Sequence, residues 1–111
     1  MVPTLLLVTK GRRSGDPITL PLIYSETDGG YVVIASKGGA PTHPAWYLNL
    51  DADPKVRIQV GAERMDAIAR TASGAERQRL WQQMVDLYDP YTAYQERTER
   101  EIPGVVLEAA N

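Results

Sequence analysis

The sequence predicts a mainly β domain with inserted helices, an α+β fold in which five or six antiparallel strands close toward a barrel. Three observations predict it. Lys55-Val56-Arg57-Ile58-Gln59-Val60 alternates polar and apolar residues, the pattern of a strand with one wet face and one packed face. Short apolar runs bounded by turn residues fill the first third of the chain. Strong helical spacing comes late, at Leu80, Trp81, Met84, Val85 and Leu87.

Taken in order, Thr4 to Thr9 is a continuous apolar run, expected as a strand buried on both faces. Gly11 to Asp16 supplies polar turn residues that reverse the chain into a partner strand, Ile18 to Tyr24. Pro21 lacks the donor a central ladder needs, so that strand belongs at an edge or at a bulge. Asp28-Gly29-Gly30 turns into Tyr31 to Ala35, which completes an antiparallel meander. Pro44 opens a helix to about Leu50, and Asp53-Pro54 stops it. After Gly61, Glu63 to Thr71 reads as another strand. Ser73 with Glu76 forms a capping box ahead of a helix reaching Tyr88, and Asp89-Pro90 restarts a second helix through about Glu99. Gly104 to Leu107 is the last strand. One domain, residues 1–111, is the simplest account, without repeats or linkers.

Composition then removes whole classes of function. With 12 Lys+Arg against 14 Asp+Glu the formal charge is −2, so no global field draws this chain to nucleic acid or an anionic membrane. Any basic character must be local. The absence of cysteine excludes disulfides, thiolate metal sites and a cysteine nucleophile, and it fits a reducing cytoplasm. A single histidine, His43, excludes a His-rich metal site, and it reads as a capping or packing residue at a helix start. No serine lies in a nucleophile elbow, and Gly11 to Gly15 matches neither the Walker nor the dinucleotide spacing. Where no reactive side chain is in view, a bound cofactor carries the reaction and the protein supplies position and electrostatics.

The segment best suited to such a cofactor runs from Ser36 to Leu50. A glycine pair, Gly38-Gly39, leads into a helix start with an aromatic pair, Trp46-Tyr47, and an amide, Asn49. Glycine lets a ligand approach the main chain, freed N–H groups attract anions, and Lys37 adds a full positive charge. The combination suits a flat ring with an anionic tail.

Taken together, Gly11-Arg12-Arg13-Ser14-Gly15 with Pro17 and Pro21-Leu22, Ala35-Ser36-Lys37-Gly38-Gly39, Pro44-Ala45-Trp46-Tyr47-Leu48-Asn49-Leu50 with Pro54, and the spaced tyrosines give a recognisable pattern. Over almost its whole length the chain resembles the deazaflavin-dependent nitroreductase family, whose members use coenzyme F420, a hydride carrier with a phosphate and an oligoglutamate tail. The resemblance implies a split β-barrel like that of flavin reductases and hydride transfer from reduced F420 to quinone or nitroaromatic acceptors. It places Lys10, Arg12, Arg13 and Ser14 near the phosphate and tail. Ser36, Lys37, Gly38 and Gly39 would line the phosphate and ring edge, with Pro44, Ala45, Trp46 and Asn49 beside the ring. Tyr88, Tyr91 and Tyr94, with Ser36, are the expected catalytic residues, facing the docked acceptor, and no metal is expected. Water or a tyrosine hydroxyl would supply the proton.

The plainer readings are an exposed basic turn for Lys10, a core aromatic for Trp46, packing for Tyr47 and a sealed core edge for the tyrosines. Where family members often carry a basic residue near a Thr-x-Pro-Leu-like segment, this chain has Ile18, which implies weaker or differently arranged tail binding. Relatives also tend to have a longer N-terminal extension, whereas this chain starts almost at its first strand. The expected protein is a monomer or weak homodimer in the cytoplasm, with peripheral contact at the inner membrane face through such an extension as the alternative. The rival functions are a non-catalytic deazaflavin or FMN carrier, and an FMN-dependent reductase of the same fold.

Overall fold

A computed structural model describes residues 2–110. The strands are β1 (Thr4–Lys10), β2 (Pro17–Ile23), β3 (Ser25–Thr27), β4 (Gly30–Ile34), β5 (Lys55–Val60), β6 (Glu63–Thr71) and β7 (Gly104–Ala109). The helices are α1 (Ala45–Ala52), α2 (Gly74–Leu87) and α3 (Pro90–Glu96), preceded by a 3₁₀ turn at Lys37–Gly39. All ladders are antiparallel, in the order β2-β1-β5-β6-β7-β4-β3. β2 and β3 stand at opposite ends of that order yet are joined through Tyr24, whose N–H still bonds the Pro3 carbonyl at 3.2 Å. One continuous segment therefore bridges the two ends of a curled sheet, which is the split barrel.

That arrangement corrects the expected meander. The second strand leaves β1 at Tyr24 and continues as β3 against β4, so its two halves serve opposite ends of the sheet. Pro21 is at an edge as its missing donor requires, paired only across to Leu6. Between β2 and β4 side chains rather than a ladder close the barrel, and the sheet opens there.

Two apolar clusters share the strands by alternation. Leu5, Leu7, Val33, Ile58, Val105 and Leu107 point into the barrel, and Trp46 and Leu50 of α1 plug its end. Val32, Ile34 and Val106 point outward beneath α2 and α3, against Leu80, Met84, Tyr91 and Ile102. Burying each aliphatic chain fully contributes about 1.5–3 kcal/mol relative to exposure. The strands buried on both faces are thus β7, where Gly104 to Leu107 are all buried, and the end of β4 at Val32 to Ile34, and not β1, whose outward Leu6 is 38% exposed. α2 and α3 cover the outer face only over β3, β4 and β7, with Gln83 of α2 donating to Ser25 and to the Glu26 carbonyl of β3.

The capping box does not form. Ser73 is the N-cap with extended backbone but makes no side-chain cap bond, and Glu76 is held instead by Arg70 of β6 through bonds of 2.6 and 2.8 Å. Glu108 takes the same guanidinium from β7 at 2.6 Å. A two-carboxylate clamp on Arg70 outcompetes the local turn back to the cap. α3 also ends at Glu96, short of the expected Glu99, because the chain must turn to place Arg100 and Ile102. Among the described residues no helix is long and apolar enough to cross a membrane, and no cluster of His, Cys, Asp or Glu suits a metal ion.

Candidate active site

A cleft of about 330 Å³ lies at the opening between β2 and β4. Its floor is apolar: Pro21, Leu22 and Ile23 of β2, Ile34 at the end of β4, Pro44 and Trp46. Ser36, Lys37 and Gly38 form one rim, and Tyr88, Tyr91 and Tyr94 form the other. Trp46 is 7% exposed, so it serves the barrel core and the cleft wall together.

The rim at Ser36–Gly39 has an unusual backbone. Ser36 is right-handed helical (φ −81, ψ −39), and Lys37, Gly38 and Gly39 follow at φ 47, 64 and 83. A right-handed residue followed by a left-handed one turns successive N–H groups toward a common point, an arrangement that favours anions. Lys37, a residue with a Cβ, bears the steric cost of the left-handed region. Gly39 has a second constraint, since an added Cβ would stand 2.5 Å from the Tyr94 carbonyl oxygen. At Gly38 an added Cβ meets nothing within 4 Å, so its surface is free for a ligand to approach.

Arg100, which the sequence reading missed, holds this rim from behind. It donates to the carbonyls of Ser36 (2.8 Å), Ala40 (2.9 Å) and Ala35 (3.4 Å), and to His43 Nδ1 at 3.1 Å. Arginine has only donors, so Nδ1 must be the acceptor and the ring proton sits on Nε2. Partial burial, then the neighbouring Arg100 charge, pull the His43 pKa down and keep the ring neutral. His43 also packs on Tyr47, with ring centroids 4.8 Å apart, in keeping with its packing assignment. Arg100 is itself placed by Gln95, whose Nε2 donates to its carbonyl at 2.8 Å while Oε1 accepts the Ile102 N–H at 2.9 Å. No motif marks Arg100, which lies between Glu99 and Glu101 in the sequence, because its partners are three backbone carbonyls and His43, all roughly 60 residues away.

The tyrosines meet as their spacing implied. Tyr88 caps α2, and Tyr91 and Tyr94 lie one turn apart on α3. Ring centroids are 5.0 Å apart for Tyr88 and Tyr91 and 6.1 Å for Tyr91 and Tyr94, both edge-on. The Tyr88 and Tyr94 hydroxyls approach to 3.4 Å. That hydrogen bond raises the Tyr88 pKa, and burial pushes Tyr91 up to about 12. Tyr91 is 5% exposed and also touches Trp81, so it is core as well as wall.

The basic turn forms a separate groove of about 470 Å³ lined by Lys10, Gly11, Arg12, Arg13, Ser14, Gly15, Asn49, Ala52 and Asp53. Asn49 belongs here and not beside Trp46's cleft. Buried to 2% exposure, it accepts from the Arg12 N–H (3.3 Å) and Nη1 (2.9 Å) through Oδ1 and donates to Thr9 Oγ1 at 3.3 Å. Ala45 is exposed and lines neither cavity, because its side chain leaves the helix face that packs inward. α1, about 12 Å long, joins the two cavities, presenting Trp46 to one and Asn49 to the other.

A family model described as F420H(2)-dependent quinone reductase matches residues 1–109. The F420H(2)-dependent quinone reductase Rv1261c of Mycobacterium tuberculosis (strain ATCC 25618 / H37Rv) is 43% identical over 108 residues, covering 95% of this chain and 72% of that protein. A solved structure described as an F420-H2 dependent reductase (FDR-A) is 42% identical, with a TM-score of 0.88 over 96% of this chain and 94% of the other. A second, described as a domain-swapped dimer, has the same identity and TM-score and covers 96% of this chain and 80% of the other. The chain belongs to the F420H(2)-dependent quinone reductase family.

Proposed function

We propose that the cleft beside Trp46 holds the deazaflavin ring of F420, that the Ser36–Gly39 rim holds its phosphate, and that the Lys10–Ser14 turn receives its tail. The family's activity is this chain's activity: an oxidoreductase in which reduced F420 supplies hydride to a quinone or nitroaromatic acceptor. The observation that carries the assignment is the convergence of Ser36, Lys37, Gly38, Trp46 and three tyrosines on one cleft. The residues fit the group. An apolar floor suits a flat ring, the converging N–H groups with Lys37 suit a phosphate, and Gly38 leaves the close approach open.

In this reading the chain contributes position more than acid–base chemistry. Ile34, Pro44 and Trp46 exclude water from one ring face. Tyr88 and Tyr91 keep their protons at neutral pH, so their hydroxyls can donate to an acceptor oxygen over the other face. Either a tyrosine or water then delivers the proton. Every group in this arrangement comes from one chain, so a monomer or weak homodimer suffices for the site.

The test follows reoxidation of reduced F420 by menadione with and without the protein, alongside tryptophan quenching by F420 and by FMN. Acceleration over the protein-free control and tighter F420 binding support the assignment. A rate equal to the control removes this site as the place of reduction, and tighter FMN binding overturns the cofactor assignment.

A further inference from the structure

Where the two rims of the cleft meet, Arg97 spans them. Its guanidinium carbon lies 5.7 Å from the centroid of the Tyr94 ring, and its Nη1 donates to the Gly38 carbonyl at 3.4 Å. Tyr94 and Gly38 belong to opposite rims, and Arg97 is not itself among the lining residues, so this cation stands at the mouth of the cleft. Its main chain is fixed there. The Arg97 N–H bonds the Tyr94 carbonyl at 3.2 Å where α3 ends, and a Cβ added at Gly39 would stand 3.0 Å from Arg97 Cβ.

The guanidinium keeps binding capacity to spare. An N–H···O distance of 3.4 Å is longer than the usual range, and an exposed cation over a tyrosine face is held weakly. Among the described residues Arg97 makes no ion pair, although Glu96 and Glu99 lie close to it in the sequence. In the placement proposed above, the phosphate takes the Ser36–Gly39 rim with Lys37, whereas Arg97 leans on Tyr94, part of the wall over which the acceptor docks. A planar fork of donors beside an aromatic wall matches an aromatic acid, its ring against the tyrosines and its carboxylate in paired bonds to the guanidinium.

We infer that Arg97 is a specificity-determining residue that favours aromatic acceptors carrying a carboxylate. This rests on the placement of F420 proposed above. Arg97 holds the non-reacting end of the acceptor and takes no part in hydride transfer, so its contribution falls on KM rather than kcat.

The experiment compares 4-nitrobenzoate with its methyl ester, which has the same reacting group and no charge, by following reoxidation of reduced F420. Wild-type protein should show the lower KM for the acid, and that preference should shrink with added salt. In Arg97→Gln the ratio of kcat/KM, acid over ester, should fall about fivefold, through KM. Arg97→Lys should keep part of the preference, since the charge remains and the fork does not. Circular dichroism should show both variants folded, and fluorescence titration reads F420 binding separately. A ratio unchanged in Arg97→Gln, or no preference for the acid in the wild type, overturns the assignment while leaving the cofactor placement intact. Equal losses for both acceptors with weaker F420 binding would show that Arg97 acts through the Gly38 carbonyl on the cofactor rim, which also overturns it. If the wild type accelerates neither acceptor over a protein-free control, the F420 placement itself fails and the specificity with it.

Discussion

Replacing Arg100 by alanine tests whether the cleft rim is held from behind. The side chain donates to three carbonyls and to His43 Nδ1, with two of those bonds at 2.8 and 2.9 Å. Hydrogen bonds from a charged donor contribute about 1.5–3 kcal/mol each, but they are not additive, and water can reach part of this side chain. Counting the two short bonds and discounting for exposure gives a loss of about 3 kcal/mol. For a domain of this size each kcal/mol moves Tm by about 4–8 °C, so a fall of about 12–24 °C is expected by circular dichroism. Affinity for F420 should fall by about tenfold in the folded variant, because an untethered Ser36–Gly39 rim must be ordered on binding. Arg100→Lys keeps the charge but not the planar fork and should recover less than half of both losses. A Tm drop without any change in F420 affinity would show Arg100 to be scaffold alone, and no change in either would refute the tether.

Two other outcomes follow from the same region. Gly39→Ala forces a Cβ to within 2.5 Å of the Tyr94 carbonyl at a left-handed φ of 83, so it should destabilise by about 1–3 kcal/mol and open the cleft, read by thermal melting and by weaker F420 quenching. For His43 the folded pKa lies below the unfolded value, so the unfolded chain binds more protons as pH falls; stability is full above about pH 6.5 and is lost below it toward the folded pKa. Melting curves at about pH 7.5 and about pH 5.5 should therefore show a larger fall for wild type than for His43→Gln, and equal falls would discard the neutral Arg100 acceptor.

Local patterns in the sequence were legible where one element satisfied its own needs. The alternation of Lys55–Val60 is β5 as read, and the apolar spacing from Leu80 to Leu87 is α2. Pro21 announced an edge because a missing donor acts wherever the strand lies. The capping box failed for the opposite reason, since Glu76 finds a better partner in Arg70 from another strand. Likewise β1 looked doubly buried, yet α2 and α3 cover the far side of the barrel and leave Leu6 in solvent.

The amino-acid sequence alone determined the helices, every strand but the short β3, the family and the cofactor class, because those rest on residues near one another in the chain. Only the tertiary structure decided that Asn49 serves the basic turn, that Trp46 is core and wall at once, and that Arg100 ties down the rim. The physical reason is that hydrogen bonds to backbone carbonyls and burial between layers carry no residue code. They exist only once β2 and β3 have joined the two ends of the sheet and brought distant segments into contact.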